Sequence, residues 1–450
     1  MRAPVLCSVL LTACTVTKPG ENGYQDYVLM GTPTYENAVG RPSEPVQLEM
    51  IAAMLPSVKV GLVAQDDVEG DAWRVMLSEN GVSDSDLENL VVFPIEHTDL
   101  WFRDMGGVFV QLDVLGYDTL AVVDFEFDGW GYGPISDDFY RELYAIDNLV
   151  APQLGDAMGL PVIYSPLIFE AGALGSNGKG TIAYSWPAVN QRNPTWTQEA
   201  VAAEFERVLG AKKVIPMPYF HPADGHSVVD GPLELDGRYL HYPYGVRHTD
   251  EYMAFVDEHT IVVNQLPQEA VTNWIEQEIH DRMQATWDFL ETQTDQDGDP
   301  FTLIAFPDPG MITDTMTADD IIWQGLGTMA GLQNYDPAGG EVIMPASYMN
   351  YVVTNGVVLA PQFYDVGRSE RLIETDAEVI TLLQALYPDR EVIGVDSDNI
   401  AIGGGGMHCI TQEVRSLSDF PSDDSDDDDS SDDDSSDDDS CDEDDGSHGH

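Results

Sequence analysis

A single mixed α/β domain is the fold class this sequence predicts, and three observations predict it. Six segments carry apolar residues three and four apart, the spacing of a helix with one buried face. Nine short runs read as strands, and they fall in pairs separated by single helical segments. No Pro/Ser-rich linker interrupts residues 30–415. Strict strand–helix alternation would have indicated a doubly wound sheet; the mixed order argues against one.

In chain order, helical spacing covers residues 44–55, 71–80, 137–158, 197–209, 272–292 and 370–386. The strand-like runs are "VGLVA" from Val60, "VVFPI" from Val91, "VFVQL" from Val108, "LAVVDF" from Leu120, "TIAYSW" from Thr181, "TIVVNQL" from Thr260, "FTLIAF" from Phe301, "NGVVLAPQF" from Asn355 and "EVIGV" from Glu391. "TDQDGDP", from Thr294 to Pro300, has the look of a calcium loop but lacks the Glu that would close one. It reads as a solvated turn between a helix and a strand.

The two ends differ from the body. Arg2 is followed by "APVLCSVLLTA" and then Cys14, which reads as a short secretory signal over residues 1–14. "LTAC" resembles a bacterial lipobox, in which the cysteine is lipidated and becomes the mature N-terminus. The expected localisation is therefore the bacterial envelope, with a lipid anchor at Cys14, or secretion; an ordinary cleaved signal or a buried N-terminal strand are the plainer readings. At the other end, residues 419–450 are rich in Asp and Ser, a like-charged stretch expected to be disordered.

The formal net charge is −61, and sixteen acidic residues in 421–450 account for only part of it. So acidic a chain repels nucleic-acid phosphates and favours cationic ligands. Of the four cysteines, Cys7 and Cys14 lie in the leader and Cys441 in the tail, which leaves Cys409 alone in the body. No disulfide framework is available there, and a lone thiol in an exported chain points to reactivity over packing.

Four segments carry residues that thiol chemistry on a cation needs. "LWFRDMGGVFV" sets Asp104 on a turn with Trp101 beside it; "FEAGALGSNGKGTI" places Glu170 among small residues; "GVRHTDEYMAF" spaces His248 and Asp250 two apart, on one face of an extended segment. "GGGGMHCITQEV" delivers Cys409 behind four glycines. Each also has a structural reading. Asp104 could pair with Arg103, Glu170 could cap its glycine turn, and His–x–Asp arises by chance.

Together, "WFRDMGG", "FEAG", "HTDEYMAFVD", "SYMNYVVTNGVVLAPQFYD" and "GGGGMHCITQ" resemble the motifs of the guanidine-modifying deiminases. The branch is that of agmatine deiminases and Porphyromonas-type peptidylarginine deiminases. The resemblance runs from about Val28 to Val414, and the domain it implies spans 28–415. It implies a five-bladed α/β propeller, the pentein fold, with the active site at its centre. It also implies a cysteine nucleophile (Cys409), a general acid–base histidine (His248) and a glutamate orienting it (Glu170). The guanidinium would be held by Asp104 and Asp250, with Trp101 and Asn350 completing the substrate site, and no cofactor or metal is called for. Ala171 and Ala173 depart from the family's pattern, which weakens Glu170, and extra sequence precedes the H-x-D. His408, next to Cys409 in a presumed strand, is expected to be structural and to point away from the thiol.

The reaction implied is hydrolysis of agmatine to N-carbamoylputrescine and ammonia, with conversion of peptidyl arginine to citrulline as the alternative. Two other classes compete. "HPADGH", with His221 and His226 five apart, would suit a zinc hydrolase, though no third ligand is well placed. A non-enzymatic acidic envelope protein would act through the tail alone. The partners expected are a small cationic guanidino substrate and no nucleic acid.

Overall fold

The computed structural model describes residues 14–33, 41–136, 138–225, 231–242, 245–328 and 334–417. The leader up to residue 13, His226 and the tail from residue 418 lie outside the described residues.

After β1 (Cys14–Thr17), one arrangement recurs: two antiparallel strands, a helical crossover, and a third strand parallel to the second. A tight turn suffices for the antiparallel step, whereas the parallel step needs a long crossover, which a helix supplies. β2 (Gln25–Gly31) leads through α1 (Glu44–Met54) to β3 (Lys59–Ala64), then through α2 (Asp67–Glu79) and α3 (Asp84–Leu87) to β4 (Leu90–Pro94), all parallel. After α4 (Phe102–Met105), β5 (Val108–Val114) and β6 (Tyr117–Glu126) form an antiparallel pair, which continues through α5 (Asp138–Asp147) and α6 (Val150–Met158) to β7 (Val162–Ile168). β1 lies antiparallel along the outer edge of β5. β8 (Leu174–Ser176), β9 (Thr181–Ser185), α7 (Trp186–Arg192), α8 (Gln198–Leu209) and β10 (Lys213–Met217) repeat the unit.

β11 (Leu233–Leu235) and β12 (Arg238–His241) interrupt the pattern before β13 (Met253–Phe255), β14 (Thr260–Gln265), α9 (Trp274–Leu290) and β15 (Thr302–Pro307) resume it. β16 (Ile312–Thr317), α10 (Ile321–Thr328) and β17 (Gly339–Met344) are a second interruption. The four interrupting strands make one sheet of their own, ordered β11–β12–β17–β16. β18 (Val352–Val353), β19 (Val357–Gln362), α11 (Arg371–Leu386) and β20 (Glu391–Asp396) form the next unit. Finally, after α12 (Asp398–Ala401), β21 (Thr411–Arg415) pairs antiparallel with β2 and so gives the first unit its missing strand. Five ββαβ units result, the first closed by the two ends of the domain.

Each unit builds its core between its sheet and its helix. Val28, Met30, Val60 and Leu62 pack with Val46, Met50 and Met54 of α1; Ile261 and Val263 pack with Ile279 and Met283 of α9; Val358 and Ala360 pack with Leu372, Val379 and Leu383 of α11. Helix starts are fixed by side-chain caps: Asp66 accepts from the Glu69 amide, Thr197 from that of Ala200, and Asn273 from those of Ile275 and Glu276. The mixed α/β class and the predicted helices and strands are all present, with one difference. The span 137–158, read as one helix, is two, α5 and α6. Pro152 lacks the N–H that a continuous helix would direct to the Asn148 carbonyl. The Asn148 side chain instead accepts from the Phe127 amide and donates to Glu126.

The predicted solvated turn is a turn: Asp295 Oδ1 accepts from the Asp297 and Asp299 amides, and Thr294 bridges to Pro300 between α9 and β15.

Candidate active site

One regularity positions the site. The segment immediately before the first strand of each unit supplies a polar side chain to one place: Asp104 before β5, Glu170 before β8, His248 and Asp250 before β13, Asn350 before β18, and Cys409 before β21. These side chains are all buried. A cleft opens onto three of them, Asp104, His248 and Cys409, and is lined further by Asp99, Trp101, Trp130, Tyr140 and Tyr144.

Cys409 lies in the turn that precedes β21, not in a strand. Its Sγ is 3.2 Å from Asn350 Nδ2, 3.6 Å from Asp250 Oδ2 and 3.8 Å from Glu251 Oε1. Burial pushes the thiol well above its usual range, and the negative charges of Asp250 and Asp104 push it further. With no cation in the cleft the sulfur therefore keeps its proton. The glycines before it have visible work. Gly404 takes a positive φ of +117°; a Cβ on Gly405 would lie 2.8 Å from the Trp101 ring and 3.1 Å from Sγ; one on Gly406 would lie 2.5 Å from Asn350 Oδ1.

His248 stands between two carboxylates, with Nδ1 3.8 Å from Asp104 Oδ1 and Nε2 3.6 Å from Glu170 Oε2. Neither ring nitrogen has a hydrogen-bond partner among the described residues. Burial opposes the imidazolium, but Asp104, Glu170 and Asp250 outweigh it and raise its pKa to about 9. Asp104 Oδ2 accepts from Trp130 Nε1 at 2.8 Å and Oδ1 from the Gly172 amide at 3.2 Å. Burial carries Asp104 up to about 6 against the pull of His248. Glu170 is buried too, yet Arg192 Nε at 3.1 Å and His248 hold it below the usual carboxylate range.

Asp250 Oδ2 accepts from His408 Nδ1 at 2.8 Å, while its Oδ1 has no partner among the described residues. Burial works against the charge of Asp250; the bond to His408 and the charges of His408, His248 and Arg103 hold it low nonetheless. Asp250 is thus an ionised carboxylate beside the thiol, with Oδ2 toward Sγ and Oδ1 left as a free acceptor.

Every predicted site residue is in this constellation, with three corrections. His408 does not turn away into the structure: a turn lacks the strict alternation of a strand, and His408 grips the same Asp250 oxygen that Cys409 Sγ approaches. Asp104 sits in the short helix α4 and does not pair with Arg103, which donates to Glu413 at 2.6 Å and to the His408 carbonyl at 2.7 Å. His221 is no free metal ligand: its Nε2 binds Asp308 at 2.8 Å and its Nδ1 accepts from the Ala223 amide.

That same "HPADGH" segment holds a residue the sequence reading missed. Asp224 accepts from the backbone amides of Val246 at 2.8 Å and His248 at 2.7 Å, and so fixes the H-x-D loop from behind. Glu251, Trp130 and Arg192 were missed as well. The Glu following H-x-D was the one visible signal; Trp130 and Arg192 sit far from any motif, and only folding brings them in.

Three comparisons bear on this geometry. The family model described as Porphyromonas-type peptidyl-arginine deiminase matches residues 17–231 and 237–414. An agmatine deiminase of Pseudomonas putida is 26% identical over 340 residues, 74% of this chain and 79% of the relative. One of Medicago truncatula is 25% identical over 341 residues, 73% and 79% of the two chains. Among solved structures, an agmatine deiminase of Enterococcus faecalis superposes with a TM-score of 0.68, covering 92% of this chain and 99% of that one, at 20% identity; at that identity the likeness speaks for the fold. With the model matched over nearly all of the described body, the chain belongs to the Porphyromonas-type peptidyl-arginine deiminase family.

Proposed function

We propose that this protein is a thiol-dependent hydrolase of guanidinium groups, and that its substrate is agmatine, which it converts to N-carbamoylputrescine and ammonia. The observation that carries the reading is the convergence of Cys409, His248 and Asp104 from three units on one cleft, with Glu170 set against His248 and Asp250 against the Cys409 thiol. A guanidinium is a planar cation with N–H donors along its edges and a weakly electrophilic carbon. It calls for carboxylates to hold it and a soft nucleophile to attack it. Asp104 and Asp250 are the carboxylates. The incoming cation also offsets the negative field that keeps Cys409 protonated, so binding and activation of the thiol go together.

In the first step Cys409 releases its S–H proton to solvent as the cation binds and the thiolate Sγ bonds to the guanidinium carbon; the His248 imidazolium delivers its proton to the departing nitrogen, the C–N bond breaks and ammonia leaves a thiouronium. In the second, His248 takes a proton from water, the hydroxide adds to the same carbon, and the C–S bond breaks to free the ureido product and the thiol. Glu170, tied to Arg192, holds the imidazole between these states. The five ββαβ units, with β21 closing onto β2, support a five-bladed propeller around this centre.

Agmatine is favoured by the cleft walls as well as by the relatives' names. Asp99 and the rings of Trp101, Trp130, Tyr140 and Tyr144 line it, with no Lys or Arg among the lining residues. A dication with an aliphatic middle suits such walls, and the free carboxylate of arginine does not. Peptidyl arginine, which lacks that carboxylate charge, is the second reading, and the family's description and the leader sequence favour it. Ammonia release from agmatine, free arginine and a blocked arginine peptide, compared at equal enzyme, tests both. The proposal expects agmatine to win by kcat/KM, and preference for the peptide would replace it.

A further inference from the structure

We propose that Glu251 is a positioning residue for the nucleophile: it anchors the side-chain amide of Asn350 so that an amide N–H is aimed at Cys409 Sγ. The inference rests on the thiol chemistry proposed above, but not on the choice of substrate.

The orientation of Asn350 is decided by its neighbours. Its Oδ1 accepts from the backbone amides of His408 at 2.7 Å and Cys409 at 3.2 Å; both are obligate donors, so the oxygen lies on that side. Its Nδ2 then faces two acceptors, Glu251 Oε1 at 2.9 Å and Cys409 Sγ at 3.2 Å. An amide has two N–H bonds, and these two acceptors take them. Gly406 leaves no play on this flank, since even a Cβ there would lie 2.5 Å from Oδ1.

Glu251 is itself held across two units. Its carbonyl accepts from Ser347 Oγ at 2.7 Å and from Asn264 Nδ2 at 3.1 Å, which ties the loop before β13 to the loop before β18. Its side chain is buried and does not line the cleft. Burial together with Asp224 and Asp250 drives its proton affinity far up. A protonated carboxyl keeps an acceptor oxygen for Asn350 without adding a charge to oppose the thiolate. The groups facing Sγ are then Asp104 and Asp250, ionisable and repelling a thiolate, the His248 imidazolium across the cleft, and the Asn350 N–H. With the Gly406 backbone N–H, the last is a neutral donor that stabilises the thiolate.

The test is the pH dependence of Cys409 alkylation by iodoacetamide in the full-length protein, followed by mass spectrometry of the peptide carrying Cys409 and accompanied by kcat and KM. Glu251→Ala is expected to move the alkylation midpoint up by about one pH unit, tenfold less thiolate at a given pH, and to lower kcat more than it changes KM. Glu251→Gln keeps the acceptor oxygen and should bring the midpoint back. Glu251→Asp retains the acid but not the reach, and should behave like alanine; should the alanine protein not fold, the Gln–Asp pair decides. An unmoved midpoint in the Ala or Asp protein, or a Gln midpoint as displaced as theirs, overturns the assignment. A displaced midpoint in a protein that releases no ammonia from agmatine would retire the substrate and leave the positioning role standing.

Discussion

At the scale of single residues, charge decides most of what this site can do. Cys409→Ser changes little in volume and much in acidity, so ammonia release should fall to background while circular dichroism stays that of the parent. Asp104→Asn and Asp250→Asn each remove one charge that holds the cation. Breaking a buried charged pair costs about 3–5 kcal/mol, so a loss of more than a hundredfold in kcat/KM is expected for each; wild-type rates in either would place that carboxylate outside the site. The two imidazoles make a prediction about stability. His248 and His408 both have folded pKa values of about 9, above the ordinary 6.5. Their contribution is fully present below about 6.5 and is lost as pH rises through 9. Glu413, held down to about 2 by Arg103 and His408 although burial opposes its charge, acts oppositely: its contribution is lost as pH falls through that value. The melting temperature should therefore decline from pH 6.5 to 9.5, and His408→Asn should remove part of the slope. A flat profile would mean that both rings are neutral in the folded protein.

At the scale of elements, the short loop before each unit's first strand is the functional unit, and its small residues are steric requirements. Gly172 shows this best. It lies in the 3₁₀ turn after Glu170, donates its amide to Asp104 and accepts from the Thr249 and Asp250 amides with its carbonyl. A Cβ there would sit 2.4 Å from His248 Nδ1. Gly172→Ala must displace the imidazole, since the backbone on both sides is hydrogen-bonded. The expected result is a stability loss of about 1–3 kcal/mol with a much larger fall in kcat, read by comparing thermal melts with turnover. Full activity would show that His248 has room the packing denies it. The longer helices and nine of the strands could be read from periodicity because one face of each is buried, as in Met50 and Met54 of α1. The extra sheet β11–β12–β17–β16 could not: β11 and β12 come from one insertion, β16 and β17 from another, and their pairing is a long-range event with no local pattern.

At the scale of the whole molecule, the excess negative charge is the dominant property. The sixteen acidic residues of 421–450 set up a field that attracts a cationic substrate, but physiological salt screens it beyond about 8 Å. Buried carboxylates in the cleft are not screened in this way. Removing residues 421–450 is therefore expected to leave kcat at saturating agmatine unchanged and to lower kcat/KM modestly, with the difference vanishing as salt rises. A loss of kcat that persists at high salt would make the tail part of the site. Anchoring through Cys14 is a separate proposal: residue 14 already pairs with Val114 in the sheet, so a lipid there would seat the body directly on the bilayer, and Cys14-dependent labelling by palmitate would test it.

What the sequence determined by itself was the inventory. The mixed α/β class, the positions of the longer helices and of nine strands, and the five motifs holding Asp104, Glu170, His248, Asp250, Asn350 and Cys409 are local patterns, and local patterns survive without a fold. Tertiary structure alone decided how these groups meet. Cys409 and His408 share Asp250 because they lie in a turn and not a strand; Arg103 goes to Glu413, leaving Asp104 to Trp130 and the Gly172 amide; Asp224, unread in the sequence, grips the His248 loop. Each of these is a choice among partners far apart in sequence. It is settled by which backbone donors and buried charges the packed units leave unsatisfied, because an unpaired polar group in such an interior costs too much to persist.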